Sequence, residues 1–127
     1  MFDHVGYAVT DLEKSRAFYG KALAPLGYSV QMEVTREMTG GEAHLGFGID
    51  RPTLWIGEGK NKVTGVHLAF TAKDRATVDA FYKAAIAAGG TDNGKPGVRP
   101  HYHENYYGAF VLDPDGNNIE AVCHLPA

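Results

Sequence analysis

The feature that most constrains this chain is an internal repeat with an offset of 63 residues. Aligning His4 with His67 places Asp11 on Asp74, Ala17-Phe18-Tyr19 on Ala80-Phe81-Tyr82, Leu23 on Ile86 and Gly27 on Gly90. Val5, Gly6 and Tyr7 meet Leu68, Ala69 and Phe70, so about 24 positions align without a gap. Such a punctuated series of identities marks a duplication, in which one supersecondary unit is built twice and the two copies bury a common core.

Both copies follow the same local grammar. Phe2 to Thr10 and Val66 to Ala72 read as strands. Asp11 and Asp74 are helix N-cap residues, whose carboxylates accept from the free amides of the first turn. Leu12, Tyr19, Leu23 and Leu26 form one apolar stripe, and Val78, Phe81, Tyr82, Ala85 and Ile86 the other, at helical spacings. Gly27 and Gly89-Gly90 supply the left-handed residue that ends a helix. Strands are predicted at 28–35, 43–49 and 53–57, then at 91–98, 106–112 and 118–124. Gly57 to Lys62 reads as the linker. The predicted fold is α+β: two βαβββ modules, about 1–58 and 63–127, forming an open, curved, eight-stranded barrel-like sheet with the helices outside, in one domain.

With 127 residues, the chain has the length of one domain. A net charge of −3 and the lack of a Lys/Arg cluster argue against a nucleic-acid partner. No apolar run approaches the roughly 18 residues of a membrane span, and the first residues enter a strand pattern without a charged-then-apolar leader. Cys123, the single cysteine, reads as inert packing in an apolar strand and fits a reducing cytoplasm.

Side chains alternate across a strand. Val5, Tyr7 and Val9 share one face of the first strand, and Val66, Leu68 and Phe70 one face of its counterpart. The opposite faces carry His4, Gly6 and Ala8, and His67, Ala69 and Thr71. Two symmetry-related histidines on faces otherwise lined by small residues suit metal ligation. The turn Asp113-Pro114-Asp115-Gly116 leads into a last strand with Glu120 at its centre, and a carboxylate among apolar neighbours wants a cation, which a metal held by His4 and His67 would provide.

His4, His67 and Glu120 within "DPDGNNIEAV" resemble the metal ligands of the vicinal-oxygen-chelate superfamily of glyoxalases, bleomycin-resistance proteins and extradiol dioxygenases. The resemblance spans essentially the whole chain. It implies a divalent metal ion (Fe, Mn, Zn or Ni) held by His4, His67 and Glu120, with Glu120 also taking part in catalysis. It further implies a small-molecule substrate chelated through neighbouring oxygens and, as in many members, a homodimer. A metal-free branch that sequesters its ligand is the alternative. The glyoxalase I pattern carries another acid on the last strand of the first copy. The 63-residue offset carries Glu120 to Gly57, and the missing ligand aligns with Trp55, on the same strand face, after a two-residue slip; Glu58 falls on the opposite face. The remaining set of two histidines and one glutamate is closer to extradiol dioxygenases and fosfomycin-modifying transferases.

The segment from Arg99 to Tyr107 is the richest in polar aromatic groups. His101 and His103 are candidate catalytic residues: they can act as acid and base near neutral pH, donate to a substrate oxygen or ligate the metal. Arg99, Tyr102, Tyr106 and Tyr107, together with Trp55, are candidate substrate contacts. Packing at a barrel rim or dimer interface accounts equally well for these aromatics. His44 and His124 have no partner logic and are assigned to surface or interface.

Overall fold

The computed structural model describes residues 1–60 and 62–127; Asn61, within the expected linker, lies outside the described residues. The first module runs β1 (Val5–Ala8), α1 (Leu12–Ala22), β2 (Ser29–Val34), α2 (Arg36–Thr39), β3 (His44–Gly48) and β4 (Pro52–Gly57). The second runs β5 (His67–Thr71), α3 (Arg75–Ala87), β6 (Thr91–Val98), β7 (Tyr107–Leu112) and β8 (Asn118–Cys123). Asp11 caps α1 by accepting from the Lys14 amide, and Asp74 caps α3 through Thr77. Gly27 takes positive φ at the end of the 3-10 turn Ala24–Leu26 that follows α1, and Gly89 does so just beyond α3. The short α2, capped by Thr35, is an addition to the expected module, too brief to carry an apolar stripe. The first strand is also shorter than predicted, and His4 stands just before it.

The two sheets repeat one topology, β1-β4-β3-β2 and β5-β8-β7-β6, with a parallel first pair and antiparallel neighbours. The fold is α+β with two βαβββ modules, and the eight strands form two open four-stranded sheets. The edge strands β1 and β5 border a common cleft of about 760 Å³; among the described residues no ladder joins them.

The long helix α3 packs on β6, β7 and β8 of its own sheet, α1 packs on β4 of its own, and α1 also packs on α3. A single core results, joining Val9, Phe18, Tyr19, Phe47 and Ile56 of the first module to Val78, Phe81, Val111 and Ile119 of the second. Tyr19 links the modules through polar atoms as well. Its hydroxyl donates to Asp113 Oδ2 at 2.5 Å and lies 2.6 Å from the Tyr7 hydroxyl. Burial pushes the Tyr19 phenol far above its ordinary range, so it stays a donor. Asp113 Oδ1 accepts from the amides of Asp115 and Asn117, fixing the β7–β8 turn. Cys123 is buried in the core.

The two long helices lie on the inner faces, and neither of them covers the other face of its sheet. Gly6, His44, Gly46, Trp55 and Gly57 lie on that face of the first sheet. His67, Ala69, Gly108, Phe110 and Glu120 lie on that of the second. These two faces position the candidate site.

Candidate functional site

Register settles how the two copies correspond at the fourth strand. Gly6 pairs with Trp55 across β1 and β4, and Ala69 pairs with Glu120 across β5 and β8. Gly6 and Ala69 are equivalent through the repeat, so Trp55 occupies the position of Glu120, two residues short of the plain offset. The neighbouring strand differs in the complementary sense. Trp55 pairs with Gly46, whereas Glu120 pairs with Phe110. A Cβ on Gly46 would lie 3.0 Å from the indole ring, so the ring rests across bare backbone.

On the second sheet, Glu120 is 1% exposed. A carboxylate buried this completely costs several kcal/mol unless donors meet it, roughly 1–3 per missing partner. Two do. His67 Nε2 lies 2.9 Å from Oε1, and the Tyr106 hydroxyl donates to Oε2. The His67 side chain is 52% exposed and covers the carboxylate from the solvent side. Burial, then the bond to Glu120, pushes the Tyr106 phenol well above its ordinary range and keeps it a donor at neutral pH. Tyr106 is packed edge-on between Tyr102 and His124, with ring centroids 5.0 Å and 5.2 Å away.

The other candidates sit at varying distances from this pair. His101 stacks on Tyr102, and His103 meets His124, so both belong to the outer side of the aromatic cluster. The Asn105 amide donates to His103 Nδ1, which leaves the proton of a neutral ring on Nε2 and removes both nitrogens from easy metal ligation. Arg99 spans the carbonyls of Lys95 and Gly97 and lies over Phe110. Tyr107, one residue after Tyr106, points to the opposite face; its hydroxyl donates to Asp79 on α3, and Arg75 covers its ring. It does not join the site.

His4 lies with the first sheet. Its Nδ1 is 2.8 Å from Asp3 Oδ1, and this bond chiefly holds the Asp3 carboxyl below its usual range. A carboxylate on Nδ1 selects the tautomer whose Nε2 lone pair is free, the form that ligates metals. His4 and His67 both border the cleft between β1 and β5, but Glu120 does not line it. Among the described residues no three His, Cys, Asp or Glu side chains cluster closely enough to hold one ion. One chain therefore brings together His67 and Glu120 and leaves His4 apart. The pair itself suits a cation. Adjacent ligand atoms of an octahedral ion, each about 2.1 Å from it, stand about 3 Å apart, close to the 2.9 Å seen between them.

Two residues missed in the sequence belong here. His44 turns its ring over Gly57, where a Cβ would meet it, and with His4 and Trp55 it lines a hollow of about 440 Å³. The signal was its place two residues from Gly46, on the same strand face. His124 supports Tyr106, a contact made across strands that no local spacing announces. Beside His44, Glu58 is bridged to Arg36 and accepts from the Ala43 amide. The Arg36 bond lowers the Glu58 carboxyl to about 2.

Residues 1–121 match the family model described as the Glyoxalase/Bleomycin resistance protein/Dioxygenase superfamily. A glyoxalase/bleomycin resistance protein from Albidiferax ferrireducens T118 is 33% identical, with a TM-score of 0.75 over 97% of this chain and 98% of that one. Glyoxalase I from Zea mays is 18% identical with a TM-score of 0.70; 99% of this chain spans 45% of that one. A point mutant of the genomically encoded fosfomycin resistance protein FosX from Listeria monocytogenes, complexed with Mn(II) and 1S,2S-dihydroxypropylphosphonic acid, is 19% identical with a TM-score of 0.68, covering 96% of this chain and 88% of that one. No curated protein sequence matches the chain.

Proposed function

Since the chain belongs to the glyoxalase/bleomycin resistance protein/dioxygenase superfamily, we propose that it is a metal-dependent enzyme acting on a small oxygen-rich molecule bound through neighbouring oxygens. The observation that carries this reading is the buried Glu120 carboxylate, held against the ring nitrogen of His67 on a sheet face that no helix covers. The Mn(II) bound by the FosX relative supports it. His67 and Glu120 would hold the ion, and His4 of a second copy would complete the set. A two-fold homodimer that apposes the first sheet of one protomer to the second sheet of its partner covers both bare faces and forms two equivalent sites. When bound, a divalent ion polarises adjacent substrate oxygens and stabilises negative charge developing on them.

The chain's own groups then divide the work. Glu120 supplies the anionic ligand and a candidate proton acceptor. Trp55 forms an apolar wall for the substrate, with His44 beside it, and Tyr102 and Arg99 border the polar end. His101 and His103, on the outer loop, are reserved for proton exchange with solvent. We place the protein in the cytoplasm, as one domain with modules at about 1–58 and 63–127.

A second reading has an observation of its own. The indole on its glycine floor, at the position of a carboxylate, is a stacking platform for a flat ligand, and a metal-free sequestering protein needs no more. Metal analysis separates the two. Protein purified without chelator is expected to hold about one divalent ion per chain, and Glu120→Gln, nearly isosteric, to lose it. Wild-type protein that stays metal-free under added Mn2+, Fe2+, Zn2+ and Ni2+ while binding planar ligands would establish the second reading instead.

A further inference from the structure

The Tyr106 phenol reaches a group that is otherwise sealed off. Glu120 is almost wholly buried, and one of its oxygens is shared with His67. The other accepts from Tyr106 alone among the described side chains. The intervening space is kept open by Gly108, where a Cβ would lie 3.1 Å from the Tyr106 ring and 3.3 Å from Glu120 Oε2. Tyr102 and His124 fix the ring from two sides. The first module has no such arrangement, since Trp55 replaces the carboxylate.

We infer that Tyr106 is a positioning residue for Glu120: its hydroxyl holds Oε2 in place and presents Oε1, on the His67 side, as the oxygen that engages a cation. This assignment rests on the metal-dependent reading of the same pair. A carboxylate with one oxygen anchored by a protein donor is oriented before the ion arrives, and removing such an outer partner typically weakens metal affinity about 10–100-fold. Gly108 is part of the same device, because a Cβ there would crowd both the phenol ring and the carboxylate. Tyr106 therefore serves the ligand and not the substrate, and the loss of its hydroxyl should be read in metal binding before it is read in turnover.

The test is Mn2+ affinity of wild-type, Tyr106→Phe and Glu120→Gln protein, by calorimetry and by the electron paramagnetic resonance signal of the bound ion. Thermal midpoint and far-ultraviolet circular dichroism serve as fold controls. The expected result is binding by wild type, roughly 10–100-fold weaker binding by Tyr106→Phe with a changed Mn2+ spectrum, and little or none by Glu120→Gln. Wild-type affinity and an unchanged spectrum in Tyr106→Phe would overturn the assignment while leaving the metal reading in place. Failure of the folded wild type to bind any divalent ion would overturn both. Should Tyr106→Phe not fold, Tyr106→Leu removes the same hydroxyl with an apolar side chain, and the same weakening is expected; unaltered affinity there would equally overturn the inference.

Discussion

Trp55 is the residue at which the two copies differ most in chemistry. A carboxylate at that position would make the first sheet a copy of the second, with an anionic ligand beside the first-strand histidine. The indole instead offers a wide apolar surface and no donor for a cation. A site formed by two imidazoles and one carboxylate keeps more positions open for a bidentate substrate, and an aromatic wall favours a flat one. We predict poor turnover of the hemithioacetal of methylglyoxal and glutathione, and better binding of catechol-like or other planar oxygenated compounds. Trp55 is the only tryptophan, so ligand titration can be followed in its fluorescence. An unchanged emission with such ligands, together with efficient glyoxalase turnover, would contradict this role.

At the level of elements, helix caps, stripes and strand alternation were legible because each depends on neighbours close in sequence. Asp11 and Asp74 cap as their positions require, and the faces carrying His4 and His67 are those left bare by the helices. The slip that aligns Trp55 with Glu120 was legible for the same reason, since strand parity is local. What the residues did not announce was how the modules dock. The packing of α1 on α3, and the contact of Tyr19 with a turn 94 residues away, are long-range choices made by shape. Two equal modules can pair their bare faces within a chain or across chains, and one sequence pattern serves both. This is why His4 is expected beside Glu120 in one hollow, whereas the chain keeps the two apart. The docking contact has its own test. Tyr19→Phe leaves Asp113 Oδ2 and the Tyr7 hydroxyl short of a buried partner and should cost about 1–3 kcal/mol. Tyr7→Phe keeps the Tyr19–Asp113 bond and should cost less. Chemical denaturation of both variants checks the order; equal losses would mean that packing, not the bond, sets the value of Tyr19.

For the molecule as a whole, the burial of both helices leaves two sheet faces without cover, and one carries the aromatic half of the proposed site while the other carries its acidic half. A dimer that joins unlike halves makes a specific prediction for mixed assemblies. His4→Ala and Glu120→Gln should each bind metal poorly alone. In a dimer of one copy of each, one site receives both defects and the other receives none. Unfolding and refolding an equal mixture should therefore restore about a quarter of the wild-type sites, since about half of the dimers are mixed. Metal binding per chain reads this directly, and no recovery in a mixture shown to exchange subunits would mean that the halves do not meet across chains.

The glycine beneath the indole has a consequence for how this chain can change. Trp55 over Gly46 and Glu120 beside Phe110 are alternative ways of dividing nearly the same space between two strands. A glutamate at 55 alone would stand over bare backbone without the support its counterpart has. A phenylalanine at 46 alone would start 2.6 Å from Pro52 and 3.0 Å from the indole. A side chain at 46 therefore needs both the indole and Pro52 to give way, so replacing Trp55 does not by itself make room for one. The wide indole and the bare strand beneath it are thus one unit, and position 46 is bound to glycine by the turn at Pro52 as well as by the ring above it.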